Sequence, residues 1–358
     1  MLKNQAAVCI SCRRPFAFIF FLKEGCVIIE SVPTLQDTGK HKSWRPVILA
    51  SLCTFMATLL LVAILSAAGL YYGVGGYFVD LALKRGENQT APTVSASLVD
   101  PNLTLPPKPQ AQNEPWEIHS ADGLLLRATH FLPTHASHRW VILLHGYGRS
   151  QADTWDYAPS YLQHGYEVLT PDLRASGSSG GTYVTMGTLE AQDVAAWARQ
   201  IITHDPQARI VLHGISMGAA TAMLAAVHPD MPANLAAVVE DSGYTSAETM
   251  FRLKMESFHL PTRLLLYLVD AMSAEKTGVS LSQAAPLEAV QHSETPLLLI
   301  HGQGDLLVPP AMAEELYRHS VAKQKELYEV KGAWHAAARA RNPEAYDRHV
   351  FSFLDNVL

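Results

Sequence analysis

The chain has 358 residues, of which 17% are charged and 48% hydrophobic, a balance that excludes a disordered polymer and fits a globular body with a membrane element. A net charge of −6 leaves no basic footprint for nucleic acid. All four cysteines, Cys9, Cys12, Cys26 and Cys53, lie towards the N-terminus, so the remainder is thiol-free, which suits an exported domain.

Residues 1–45 read as an N-terminal tail to which no function attaches. Cys9 and Cys12 form C-x-x-C, but no second pair follows at zinc-site spacing, and no His and carboxylate spacing elsewhere argues for a catalytic metal. Phe16 to Leu22 is apolar but too short to cross a bilayer. Val47 to Tyr72 is different: it carries no charge and is rich in Leu, Ala, Val and Ile. About 20 helical residues cross the hydrocarbon core, so this run is long enough. A buried core helix would need a partner for every face. A cleaved signal sequence, with Ser66-Ala67-Ala68 as its processing site, would begin unusually far from the terminus. The expectation is one uncleaved transmembrane helix within residues 46–85, extended to the interface by Gly73 to Leu83, with Tyr71, Tyr72 and Tyr77 as aromatic anchors. Lys40, Lys42 and Arg45 precede the span and Lys84 and Arg85 follow it. That small bias favours a cytoplasmic N-terminus and an extracytoplasmic main domain on a single-pass cell-membrane protein.

Residues 86–115 read as a linker, with Pro92, Pro101, Pro106, Pro107, Pro109 and Pro115 among polar residues. Asn88-Gln-Thr and Asn102-Leu-Thr match a glycosylation tripeptide that is common by chance. From residue 116 to 358 strand and helix patterns alternate. Trp116 to His119 and Leu124 to Phe131, around the turn Asp122-Gly123, predict a hairpin. Further strands are predicted at Trp140 to Leu144, Tyr166 to Thr170, Ile210 to Leu212, Leu235 to Val239, Leu297 to Ile300 and Glu326 to Val330. Helices are predicted at Thr188 to Ile202, from Ala219 to Val227, and at Glu344 to Leu354. Such alternation implies an α/β fold, a mostly parallel central sheet with helices on both faces, and ligand sites at the carboxyl ends of strands. Residues 245–283 break the rhythm with apolar helical stretches such as Leu264-Leu265-Leu266 and read as a small helical cap, or else as a long loop packed on the body.

The segment from Arg209 to Ala220 organises the rest. An apolar strand runs into Gly214-Ile215-Ser216-Met217-Gly218, and a helix-forming run follows. Strand, G-x-S-x-G and helix are the context of a nucleophile elbow, in which the serine hydroxyl is pushed above the sheet and glycines avoid collision with the neighbouring strand and helix. The new helix points its positive end at an oxyanion position. A serine needs a base, and the base needs an acid to fix its tautomer. Asp305, just past the Ile300 strand, and His335, in Gly332-Ala333-Trp334-His335 past the Val330 strand, complete the chain order Ser216, Asp305, His335. Asp241, also past a strand, is the rival acid. His145, His213 and His301 each precede a glycine at a strand end and read as structural. Asp172, Arg174 and the Ser176 to Gly181 loop lack the lysine and spacing of a phosphate loop and read as an edge of the site mouth.

These motifs, with His145-Gly146-Tyr147-Gly148, make the region from Trp116 to Leu358 resemble an α/β-hydrolase, most of all the single-pass, membrane-anchored bacterial serine hydrolases of the esterase-like and prolyl-oligopeptidase-like branch. The resemblance implies a cofactor-free serine hydrolase with an oxyanion hole made by the backbone N–H groups of Tyr147 and Met217. A carboxylic ester is the expected substrate, because nothing specifies peptide binding. A serine peptidase or amidase acting on short peptides, and a non-catalytic tethered binding protein on the same fold, are the alternatives.

Overall fold

The computed structural model describes residues 43–85, 105–135 and 137–358. Cys9, Cys12, Cys26, Asn88, Asn102 and most of the proline-rich linker lie outside the described residues. The chain divides into two compact units, residues 1–60 and 61–358.

In the first unit the described residues are the start of α1 (Arg45–Ala68). Their large apolar side chains, among them Leu49, Phe55 and Leu60, are exposed. A helix of this kind, apolar on every face and without a protein partner among the described residues, is long and apolar enough to cross a membrane.

In the second unit helical backbone continues through a π-helical turn (Gly69–Gly75) into α2 (Gly76–Leu83). α2 is more than an interfacial extension. Val79 and Leu83, four residues apart on one face, are buried in the same core as Leu126, Leu173 and Trp197. Tyr77 and Leu81, on the other side, remain exposed. The π-helical turn and α2 dock on the cap region: a Cβ added at Gly75 would sit 3.3 Å from the Leu268 carbonyl oxygen, Tyr71 donates to Glu275 at 2.8 Å, and Asp80 of α2 pairs with Lys276. Of the three expected aromatic anchors, Tyr72 and Tyr77 are exposed and Tyr71 is engaged by this contact.

The body is an eight-stranded sheet in the order β1-β2-β4-β3-β5-β6-β7-β8. Its strands are β1 (Asn113–His119), β2 (Leu125–Phe131), β3 (Arg139–Leu144), β4 (Glu167–Pro171), β5 (Arg209–Ile215), β6 (Leu235–Asp241), β7 (Leu297–Gly302) and β8 (Lys325–Val330). β1 and β2 form the antiparallel hairpin, β2 also pairs antiparallel with β4, and the remaining ladders are parallel. β1 begins three residues earlier than the hydropathy pattern suggests and takes Pro115 from the expected linker, opposite Thr129. A proline that donates no ladder bond is tolerated there because β1 is an edge strand.

Alternate side chains of the central strands enter two cores, as period-2 geometry demands. Ile142, Leu144, Ile210 and Leu212 face α4 (Thr188–His204) and α5 (Met217–Ala226). Val141, Leu143, Val211 and Ile300 face α3 (Ala158–Gln163), α10 (Ala338–Arg341) and α11 (Pro343–Val357). The region after β6 folds into α6 (Ala247–Ser257), α7 (Thr262–Thr277) and a 3-10 turn, so it is helical rather than a loop. α8 (Pro286–Val290) and α9 (Ala311–His319) complete the first layer through Val290, Met312 and Leu316. The result is an α/β-hydrolase fold with helices on both faces.

If α2 belongs to this core, Leu83→Ala costs about 2–5 kcal/mol, the usual range for emptying a buried leucine site. Tyr77→Ala, on the exposed face of the same helix, changes stability by less than about 0.5 kcal/mol. Thermal unfolding of the full chain in detergent checks the difference.

Candidate active site

β5 delivers Ser216 through a turn with φ 56° and ψ −115°, in the left-handed half of the map that a side chain rarely adopts. Its N–H is held by the Asp241 carbonyl at 2.7 Å, and its own carbonyl accepts from Ala219 and Ala220 to start α5. The flanking glycines are required by contact. A Cβ at Gly214 would lie 2.0 Å from the Gly218 carbonyl oxygen, and one at Gly218 would lie 2.1 Å from that of Leu144. The serine can be lifted above the sheet only because strand, turn and helix come this close.

Two loops from the far side of the sheet bring the other groups. Asp305 follows β7, and His335 follows β8. The loops are tied together by the Gly304 N–H donating to the Ala333 carbonyl at 2.9 Å. His335 Nε2 lies 2.8 Å from Ser216 Oγ, and His335 Nδ1 lies 2.7 Å from Asp305 Oδ2. A carboxylate only accepts, so Nδ1 carries the hydrogen and Nε2 is left to accept from the serine hydroxyl. Asp305 Oδ1 accepts the N–H groups of Leu307 and Val308 at 2.9 and 2.8 Å. Burial alone would raise the Asp305 carboxyl, but hydrogen bonds from His301 and His335, the charge of His335 and the Val308 N–H outweigh it and hold the group at about 2. It is therefore an anion throughout the neutral range.

Asp241, the rival acid, is turned away. It is fully buried and accepts from Ser242 Oγ at 2.8 Å and from the Tyr346 hydroxyl at 2.9 Å, and burial raises its pKa. Its contribution is structural: Ser242 Oγ in turn accepts the Ala336 N–H at 3.2 Å, next to His335. Ser242 and Ala336 both adopt positive φ, which no pattern of residue types signals.

The Met217 N–H stands at the first turn of α5, where the helix offers it no acceptor. Gly146 closes the other side, since a Cβ there would contact Ser216 Cβ at 3.4 Å. Among the described residues neither the Tyr147 N–H nor the Met217 N–H donates to a protein acceptor. Both are available to an oxyanion. The Tyr147 hydroxyl donates to the Ala82 carbonyl in α2, and burial raises its pKa so that it stays a donor. α2 thus braces the loop that carries one expected oxyanion donor, a contact that joins positions 65 residues apart and leaves no local trace.

The other polar residues shape the surroundings. His145 Nδ1 donates to the Gly146 carbonyl at 2.8 Å and Nε2 accepts the Leu173 N–H at 3.0 Å, and burial lowers its pKa. His213 is clasped by the hydroxyls of Tyr161 and Tyr346, with burial lowering it to about 3. Asp172 accepts from the backbone and side chains of Gln151 and Ser178, so the Ser176 to Gly181 loop is pinned rather than loose. Arg85, past the end of α2, donates to the carbonyls of Gly177 and Ser179 and pins it from outside. His301 is the surprise: its Nε2 lies 3.2 Å from Asp305 Oδ2.

Known proteins share this framework. The profile described as the alpha/beta hydrolase family matches residues 141–348, more than half of the chain. The uncharacterized protein YqkD of Bacillus subtilis is 29% identical over 254 residues, which cover 69% of this chain and 81% of that protein. The uncharacterized protein YfhR of Escherichia coli is 27% identical over 259 residues, or 68% of this chain and 83% of that one. Among solved structures, an esterase of Pyrococcus furiosus superposes with a TM-score of 0.56 at 26% identity, covering 69% of this chain and 92% of that one. The alpha/beta hydrolase GrgF of Penicillium, at 19% identity and a TM-score of 0.54, shares the fold over 69% of this chain and 99% of its own.

Gly218→Ala drives a methyl into the Leu144 carbonyl. It is expected to destabilise the chain by about 3 kcal/mol or more, at the upper end of single substitutions. A fall in denaturation midpoint to match, with S216A unchanged as the control, is the measurement.

Proposed function

The chain belongs to the alpha/beta hydrolase family, and from that premise we propose that it is a serine hydrolase that cleaves carboxylic esters through an acyl-enzyme. The observation that carries this reading is the unbroken relay from Ser216 Oγ to His335 Nε2 at 2.8 Å and from His335 Nδ1 to Asp305 Oδ2 at 2.7 Å. Ester rather than amide chemistry is favoured by the similarity to the Pyrococcus furiosus esterase.

Ser216 Oγ attacks the acyl carbonyl as His335 Nε2 takes its proton. The carbonyl oxygen becomes an anion facing the N–H groups of Met217 and Tyr147, each such donor contributing about 2.7–4 kcal/mol to the transition state. The ester C–O bond then breaks, and His335 returns the proton to the departing alkoxide. Water, deprotonated by the same Nε2, attacks the acyl-enzyme and releases the acid and Ser216. Asp305 keeps the ring in the required tautomer and stabilises the imidazolium without taking the proton. No step draws on a metal or cofactor.

The hydrolase is read as anchored in the cell membrane by Val47–Tyr72, with the catalytic body outside the cytoplasm, in the manner of the single-pass, membrane-anchored hydrolases it resembles. The apolar, exposed helix and the flanking charges support this placement. A membrane-impermeant fluorophosphonate applied to intact cells is expected to label the wild-type chain and not Ser216→Ala. Labelling only after lysis would move the body to the cytoplasm, and no labelling under either condition would leave the serine without its role.

Kinetics separate the remaining choices. Asp305→Asn is expected to lower kcat about 10⁴-fold, as loss of the tautomer-fixing acid does elsewhere. Asp241→Asn should keep kcat within about 10-fold, since it touches no reacting atom. Short-chain acyl esters set against aminoacyl and prolyl amides give the substrate class, and a higher kcat/KM for amides would make the protein a peptidase.

A further inference from the structure

Apolar side chains that find no place in either core gather on the cap and on α2. α2 turns Tyr77 and Leu81, one helical turn apart, away from the core. On the cap, Phe258 in the turn between α6 and α7 is 57% exposed, and Tyr267 on α7 is 70% exposed. Leu264, Tyr267, Ala271 and Ala274 recur at helical spacing and form an uncharged stripe along α7, none of them buried. Leu265 and Val269 fill the core from the other side of the same helix. A helix buried on one face ordinarily turns charges to water on the opposite face. α7 turns a second apolar stripe there instead.

Topology brings this patch to the end of the sheet that carries the site. β3, β5, β6, β7 and β8 are parallel, so the loops after them leave the same edge. The Tyr147 loop follows β3, the cap follows β6, and the loops of Asp305 and His335 follow β7 and β8. The last two loops expose apolar side chains as well, Leu306 next to Asp305 and Trp334 next to His335. α2 touches both the cap and the Tyr147 loop, through Asp80 to Lys276 and through the Ala82 carbonyl to the Tyr147 hydroxyl.

The same helical backbone runs back into the apolar span. The last turns of that span, with Leu61, Ile64 and Leu65 exposed, belong to the compact unit that holds the body. From Tyr72 to Ala82 the helix advances roughly 15 Å, at about 1.5 Å per residue. The exposed face of α2 and the cap helix docked on it therefore begin where the span ends, at the level of the lipid headgroups. Charge also fits lipid. Lys254 Nζ lies 5.1 Å from the centre of the Phe258 ring, and Arg263 is exposed at the start of α7. Arg252 nearby pairs with Glu256 and adds no net charge. Aromatic side chains edged by cations suit a phosphate-bearing surface, whereas two copies meeting through this face would bring like charges together.

We propose that this face of the cap and α2 lies on the bilayer that the apolar span enters, and that the site draws its acyl ester from that bilayer. The substrate is then a lipid-soluble, long-chain ester, and the aromatic patch holds the site mouth against the surface where such esters concentrate, each methylene strengthening their partition roughly fourfold. The inference rests on the serine-hydrolase and membrane-anchor readings and adds to them the face that meets the lipid and the class of ester.

The test uses the full chain reconstituted in vesicles of phosphatidylcholine and phosphatidylglycerol, with Cys9, Cys12, Cys26 and Cys53 replaced by serine. A bimane label is attached through Phe258→Cys, Tyr267→Cys or, as control, Lys323→Cys, which is exposed at the opposite edge of the sheet just before β8. Brominated lipid is expected to quench the first two labels and spare the third, and aqueous iodide to do the reverse. Iodide quenching at all three without loss to bromolipid overturns the proposal. So does cross-linking of two chains through Tyr267→Cys without bromolipid quenching, which assigns the face to a second copy. Kinetics give the second readout, in the double variant Phe258→Ser and Tyr267→Ser. Its kcat/KM for a long-chain ester carried in the vesicles is expected to fall about tenfold or more, through KM, while that for a soluble short-chain ester stays within about twofold. An equal fall on both esters, or on neither, overturns the substrate class. A chain that stays on the vesicles and hydrolyses the soluble ester yet fails these tests sinks only this inference. A chain that washes off the vesicles sinks the anchor and this inference with it, and one inert to both esters and to fluorophosphonate sinks the hydrolase reading.

Discussion

Everything in the site depends on how closely α5 may approach the end of β3. The space between Gly218 and the Leu144 carbonyl excludes even one methyl group, and the space between Gly214 and Gly218 is equally full. Packing at that distance forces the chain between them through a turn that places Ser216 at positive φ. The strain is of order 1–3 kcal/mol and persists only because two glycines, a parallel ladder and a helix start over-determine it. The same turn does three things at once. It exposes Oγ, it leaves the Met217 N–H without an intrahelical acceptor, and it brings Gly146 against the serine.

The acid side of the site is built on a different principle, that of buried charges shared among several donors. Asp305 accepts two backbone N–H groups and faces two imidazoles, so removing it from water is offset several times over. Asp241 is also buried and itself ends β6, yet Ser242 and Tyr346 take up its oxygens and it acts as scaffold. Two carboxylates at comparable strand ends thus differ in role because different donors surround them.

The helical continuation after the apolar segment links the catalytic body to what precedes it. α2 buries Val79 and Leu83 in the core, its Ala82 carbonyl receives the Tyr147 hydroxyl, and Arg85 beyond it grips the Ser176 to Gly181 loop. The body of this hydrolase therefore draws on residues well before its first strand. A stretch that reads as an interfacial extension is also a wall beside the loop that carries Tyr147.

Local patterns by themselves determined the class of the fold. Apolar runs such as Ile210 to Leu212 and Leu297 to Ile300, separated by helical periods, admit little except a parallel sheet covered on both faces. They also determined which serine stands at the elbow, because G-x-S-x-G between strand and helix is a short-range steric requirement written in adjacent residues. Only the tertiary structure decided the rest. The pairing of His335 with Asp305 rather than Asp241, the bond from Tyr147 to Ala82, the start of β1 at Asn113 and the contact of His301 with Asp305 all join elements that become neighbours through strand order. Side-chain hydrogen bonds across a sheet depend on which strands lie side by side and on the rotamers that packing permits, and neither leaves a period or a spacing along the chain.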